Sequence, residues 1–323
     1  MENEIYNILN DMSEVLNITQ MRLLQEVLIK RLETGTSVEV EKVGNFEYLN
    51  MFVSAKSIEG CSERTIAYYK STICNMLEKV DIPIRQMTTE ILREYLTDYR
   101  AENKCGKVTI DNIRRNLSSF FSWLEDEDYI IKSPIRRIHK VRTGTTVKET
   151  FSDENIEVLR DGCIEKRDLA IIDLLYSTGM RVGELVNLDI DDINFEEREC
   201  VVYGKGNKER KVYFDAKAKL HLQDYIKSRD DENPALFVTL DAPHDRLKIS
   251  GVEIRLRELG RRLNIEKVHP HKFRRSMATK AIDKGMPIEQ VQKLLGHQQI
   301  DTTMHYAMVN QNNVKISHRK FIA

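Results

Sequence analysis

The stretch HPHKFRRSMATKAIDKGMPIEQVQKLLGHQQIDTTMHY, residues 269–306, decides how this chain reads. Pro270 opens a helical run that Gly285 ends, because proline suits the first turn of a helix and glycine its exit. His271 and Arg274 stand three apart in that first turn, so both project from one face. The positive end of the helix adds attraction for an anion there. A second run, MPIEQVQKLLGH, stops at Gly296 and leaves His297 at its end. Asp301 or Thr302 then caps a third short helix expected to carry Tyr306.

Working outward towards the N-terminus, STGMRVGEL holds Arg181 and Glu184, and VVYGKGNKERKVY holds Lys205. Alternation on either side of Gly204 to Asn207 predicts a β-hairpin with Lys205 near its tip. Together these side chains suit a phosphodiester. Arg181 and Arg274 can hold its non-bridging oxygens by forked hydrogen bonds and neutralise charge that grows in the transition state. Tyr306 can attack phosphorus and keep the bond energy as a covalent ester. A free tyrosine titrates near pH 10, roughly three units above neutrality. Its proton therefore needs an acceptor, and His271 is the candidate. Lys205 can protonate the departing 5′ oxygen, and His297 can donate a further hydrogen bond to phosphate. The expected product is a phosphotyrosine ester plus a free 5′ hydroxyl. Reversal with another strand reseals DNA, and neither step calls for a metal, a nucleotide or another cofactor.

Taken singly, each residue has a plainer reading. Tyr306 could be a core tyrosine, Lys205 a solvated turn lysine, His297 a helix-end histidine, and Arg181 with Glu184 an ordinary i,i+3 pair. Their joint order carries the argument. AIDKGMPIEQVQKLLGH also reads as a helix-turn-helix, but a non-catalytic DNA-binding protein leaves Arg181, Lys205 and Tyr306 unexplained. LDIDDINFEERE offers Asp189, Asp191, Asp192, Glu196 and Glu197 to a metal-dependent nuclease, yet it lacks the glycine of a calcium loop. It reads as the polar face of a turn and short strand. GKGNKE lacks the P-loop frame. His269 and His271 have no cysteine nearby, which argues against zinc.

In TGMRVGEL, GKGNKE, HKFRRSMAT, LLGH and the downstream tyrosine, the chain resembles the tyrosine recombinases of the Xer/phage-integrase type, over roughly residues 45–310. The resemblance implies the roles above for Arg181, Lys205, His271, Arg274, His297 and Tyr306, and makes Glu184 the acidic buttress of the first arginine. Many relatives have histidine where Arg275 stands, a position outside the chemical set. The implied fold is mainly α (α+β). A helical, SAM-like core-binding domain is joined to a mostly helical catalytic domain with a small antiparallel sheet, and the two form a clamp on DNA. The implied partners are double-stranded DNA at a specific short site and three further copies of the chain. Such a tetramer on two sites exchanges strands in pairs through a Holliday junction, in integration or excision, inversion or dimer resolution. A type IB topoisomerase shares the chemistry and is the nearest enzymatic alternative.

The chain has 323 residues, long enough for about two domains, and 41% hydrophobic residues, enough for real cores. No apolar run approaches the roughly 20 residues of a membrane span, and no signal pattern opens the sequence. Five scattered cysteines without metal spacing fit reduced thiols in a cytoplasmic protein. A net charge of −1 disfavours uniform DNA binding, but its distribution is uneven. Residues 1–45 carry eight acidic and four basic side chains, whereas 132–148 carry six basic and no acidic ones. DNA contact is thus expected through local stripes and should depend strongly on salt.

Four stretches follow. Residues 1–44 form an acidic helical extension, with Ile5, Ile8, Leu9, Met12 and Leu16, then Met21, Leu24, Val27, Leu28 and Leu32, at helical spacing. An arm-binding domain would be basic, so this segment is expected to make protein contacts within or between subunits. The lack of a basic arm points to short sites and leaves room for an accessory protein. Residues 45–131 form a helical bundle with capped starts at Ser62 and Thr88 and stripes such as Ile73, Met76 and Leu77, or Ile113, Leu117, Phe120, Phe121 and Leu124. Its polar face includes Arg64, Lys70, Lys107, Arg114 and Arg115, and similarity to core-binding domains suggests that some of these touch phosphates. Residues 132–148 are a basic linker with Arg136, Arg137, Lys140 and Arg142 as further DNA-binding candidates. Residues 149–323 are the catalytic domain, with a small sheet near 190–214 and a tail that in relatives can dock on a neighbouring subunit.

Overall fold

The computed structural model describes residues 2–13, 15–34, 43–142, 149–204, 209–304 and 306. Lys205, the hairpin tip and the C-terminal tail fall outside the described residues. The chain divides into two compact units, residues 1–144 and 145–323.

In the first unit, α1 (Glu2–Met12) and α2 (Ile18–Thr34) pack on each other. Their described apolar side chains are at best half-buried, and Tyr6, Val15, Ile18 and Leu23 are exposed. Two helices alone have too little surface to enclose an apolar stripe. The bundle proper consists of α3 (Asn45–Ile58), α4 (Glu63–Val80), α5 (Thr89–Asn103) and α6 (Lys107–Asp126). Ser62 Oγ accepts the Thr65 N–H at 3.3 Å and Thr88 Oγ1 the Ile91 N–H at 3.4 Å, so both expected caps form. The stripes of α4 and α6 close over Phe52, whose ring meets Phe120 and Trp123 edge-on at 5.3 and 5.6 Å.

The second unit contains α7 (Asp153–Asp161), α8 (Lys166–Thr178) and α9 (Val182–Val186). A three-stranded antiparallel sheet follows: β1 (Ile193–Asn194), β2 (Glu199–Tyr203) and β3 (Glu209–Tyr213), in that order. Then come α10 (Ala216–Lys227), α11 (Ile249–Arg262), α12 (Pro270–Asp283), α13 (Ile288–Leu295) and α14 (Ile300–Met304). The buried helix α8 packs against α10 and α12, which seats the start of α12 within the unit. The expected mainly helical fold with a small sheet is what forms. The acidic stretch near 190 becomes a 3₁₀ turn running into β1, and the Asp189 carboxylate is held by Arg246.

The third helix of the quoted stretch departs from expectation. It begins at Ile300, so Asp301 and Thr302 lie in its first turn and not ahead of it. Tyr306 follows in a turn, its N–H donating to the Thr303 carbonyl at 2.9 Å. Five residues are all the helix spans between the Gly296 turn and the tyrosine.

Candidate active site

Gly179 ends α8 in the left-handed region, φ +62°. A side chain would be strained there, and a Cβ would come within 2.0 Å of Met277 Cε. The turn delivers Arg181 to the start of α9. Glu184, buried one turn on, reaches back and accepts both the Arg181 N–H at 2.7 Å and its Nη1 at 3.0 Å. The carboxylate closes the helix start and fixes the guanidinium. The Arg181 side chain remains 40% exposed, available to a ligand.

Arg274, one turn into α12, is 3% exposed. Its Nη1 donates to the Gly179 carbonyl and its Nη2 to the Leu295 carbonyl, each at 2.6 Å. The same Nη2 lies 3.0 Å from His297 Nε2. Gly296, at φ +65°, ends α13 and turns the chain so that His297 faces this guanidinium. Since Nε2 accepts from an arginine, the imidazole proton sits on Nδ1, which lies 2.9 Å from the Thr303 hydroxyl. Thr303 is fully buried. Its hydroxyl can donate or accept, so Nδ1 keeps a partner in either tautomer. The Tyr306 ring stacks on His297, centroids 5.9 Å apart and planes 25° from parallel, and rests against Met277, Ala278, Val291 and Leu295.

Arg181 and Arg210 both bond the Glu184 carboxylate, and the buried Arg274 lies near enough to feel all three charges. Burial, then the Arg181 and Arg210 charges, lowers Arg274 to about 10 against the opposing pull of Glu184. Burial alone would push Glu184 up, but the Arg210 hydrogen bonds, the Arg181 N–H and the Arg210 charge outweigh it and hold it below the ordinary glutamate range. His271, on the first turn of α12, is lowered by partial burial of its ring and by Arg274 and Arg181. That keeps it neutral and able to accept a proton at neutral pH.

His297 is lowered to about 4, first by burial and then by Arg274, Arg181 and Arg210. An unfolded imidazole takes its proton near pH 6.5 and the folded one only near 4, so protons favour the unfolded chain between these values. His297 thus adds stability above pH 6.5 that is lost as pH falls towards 4, at no more than about 1.4 kcal/mol per pH unit. Denaturant unfolding at stepped pH should show this loss, and His297→Gln should flatten it. An unchanged slope in the variant would assign the effect elsewhere.

The structure therefore brings Arg181, Glu184, Arg274, His297 and Tyr306 into one contiguous group, with His271 on the first turn of α12. Sequence reasoning missed Arg210 and Thr303. For Arg210 a signal existed. Val212 is an inward residue of β3, and Arg210, two positions earlier, faces the same way. Thr303 offered no local sign, since its partner lies in another turn. Beside the group opens a groove of about 1860 Å³ whose lining includes Arg181, Arg210, Lys280, Lys284, Lys293 and His297.

In the first unit Arg64, Lys70, Lys107, Arg115, Arg136, Arg137, Lys140 and Arg142 are exposed. Arg114 differs. Its Nε is committed to Asp111 at 2.9 Å, and the same carboxylate oxygen accepts the Val141 N–H at 3.0 Å. This pair pins the basic stretch after Arg137 onto α6. A smaller groove, about 490 Å³, gathers Arg114, Ser118, Ser122, Arg136 and Lys140.

A buried arginine with an exposed one beside it, a neutral imidazole and a phenol stacked on it equip a site for phosphoryl transfer to a side chain. Residues 149–313 match the phage integrase family and residues 48–131 match its N-terminal SAM-like domain. Tyrosine recombinase XerA of Pyrococcus furiosus is 32% identical over 282 residues, covering 85% of this chain and 94% of that protein. Tyrosine recombinase XerC of Oceanobacillus iheyensis is 29% identical over 293 residues, covering 84% and 95%. The fold is shared with the crystal structure of the XerH site-specific recombinase bound to a palindromic difH substrate. There the TM-score is 0.68 at 19% identity, over 97% of this chain and 93% of that one. The chain belongs to the phage integrase family. It is a tyrosine recombinase, an enzyme of DNA strand transfer.

Proposed function

We propose that the chain cuts and rejoins double-stranded DNA at a specific short site through Tyr306. The phenol oxygen attacks phosphorus while its proton passes to His271. The bond to the 5′ oxygen breaks, and Lys205 supplies the proton that makes it a hydroxyl. Arg181 and Arg274 hold the non-bridging oxygens. His297 joins them by moving its proton to Nε2, with Thr303 then donating to Nδ1. The observation that carries this reading is the surplus of guanidinium over carboxylate around Glu184. A phosphate would offset that surplus of positive charge. Exposed cations at Arg64, Lys70, Lys107, Arg115, Arg136, Arg137, Lys140 and Arg142 contact the flanking backbone, so that both units engage one duplex. XerH in its complex carries the same fold on DNA. Four copies on two sites, working in the cytoplasm, complete the reading.

The test is covalent capture. Nicked duplexes from the gene's own flanks and from a random pool are incubated with the chain in EDTA. Adducts are digested and the modified peptide is located by mass spectrometry. A nucleotide on Tyr306 is the expected result, and the captured DNA gives the site. An adduct on another residue, or none despite sequence-specific binding, would overturn the assignment.

A further inference from the structure

Arg210 comes from strand β3 and reaches two other segments at once. Its Nη1 and Nη2 donate to Glu184 Oε1 and Oε2, each at 2.6 Å, in a parallel fork. Its Nε donates to the Leu294 carbonyl at 3.0 Å, at the end of α13. The Arg210 and Glu184 side chains are 11% and 4% exposed. Each Glu184 oxygen is therefore shared, Oε1 between Arg210 and Arg181 Nη1, and Oε2 between Arg210 and the Arg181 N–H. A planar fork fixes the plane of the carboxylate it holds, which a single point charge does not do. That plane sets the direction in which Arg181 is held. The approach also explains Gly296, because a Cβ there would lie 2.9 Å from Arg210 Cδ. One guanidinium thus spans the segment bearing Arg181 and the turn bearing His297.

We propose that Arg210 is a positioning residue for the reacting phosphate. It aims Arg181 through Glu184 and holds the Leu294–His297 turn in place, without touching DNA itself. The proposal rests on the reading of Arg181 as a phosphate ligand. Losing the fork lets the carboxylate rotate and Arg181 drift, and a misplacement of about 1 Å costs on the order of 100-fold in rate.

The experiment measures the rate of covalent adduct formation on the captured DNA site for the parent, Arg210→Ala, Arg210→Lys and Arg181→Ala. Each is tested with a normal scissile phosphate and with a neutral methylphosphonate in its place. On normal DNA Arg210→Ala should be slower by about 100-fold, with DNA affinity close to the parent's. On the methylphosphonate, which lacks the charge that Arg181 offsets, the deficits of Arg210→Ala and Arg181→Ala should both shrink. Arg210→Lys keeps the charge and loses the fork. It serves where the alanine variant does not fold, and it should show a smaller deficit with the same relief. If the Arg181→Ala deficit shrinks while that of the Arg210 variants stays whole, Arg210 only supports the fold and the inference is overturned. If neither shrinks, the reading of Arg181 itself fails. A lysine variant as fast as the parent on normal DNA also overturns the inference.

Discussion

Tyr306→Phe is expected to bind DNA as the parent does and to form no covalent adduct. Phenylalanine keeps the ring that stacks on His297 and packs against the apolar cluster of α12 and α13, so the local fold should persist. Only the nucleophilic oxygen is lost. Removing the nucleophile of a covalent enzyme costs on the order of 10⁶-fold in rate, which leaves nothing measurable above background. Gel shift and denaturing electrophoresis on the same samples separate the two properties. Adducts that persist in the variant would remove Tyr306 from its role.

Arg274→Ala is expected to slow cleavage by at least about 10²–10³-fold with little change in stability. Two opposing terms decide this. The lost hydrogen bonds expose the Gly179 and Leu295 carbonyls, at roughly 1–3 kcal/mol for each group left unsatisfied. Against that, burial and the like charges of Arg181 and Arg210 disfavour this guanidinium, and its removal relieves them. The vacated space also lets water reach the carbonyls. The terms oppose each other, so the melting temperature should move by only a few degrees. Catalysis has no such compensation. Loss of one preorganised donor to a developing oxyanion costs about 10²–10³-fold, and more where the donor carries full charge. Calorimetry beside adduct kinetics checks both halves. A large drop in melting temperature would show that Arg274 is kept for the fold.

The helical frame was legible because its signals are local. Caps at Ser62 and Thr88 need only a hydroxyl and the next turn, and the stripe of α6 needs only a period of 3.6. The same periodicity gave the helices α1 and α2, but it does not say what covers their apolar stripe, which is at best half-buried among the described residues. At the site, the residue types and their order pointed to Arg181, His271, Arg274, His297 and Tyr306. What joins them was hidden. Arg210 and Glu184 are 26 positions apart, and their pairing depends on where a strand crosses a helix start. Arg114 looked like a free cation until the fold set Asp111 beside it with Val141 on the same oxygen. Sequence gives the inventory of charges and only the packed chain says which of them are already spent.

Thr303 and Tyr306 sit three residues apart at the end of the described chain, one holding the imidazole and the other stacked on it. The support of the imidazole and the placement of the phenol thus come from one short segment, and neither can be tuned apart from the other. A substitution at Thr303 should therefore be felt at Tyr306 as well as at His297.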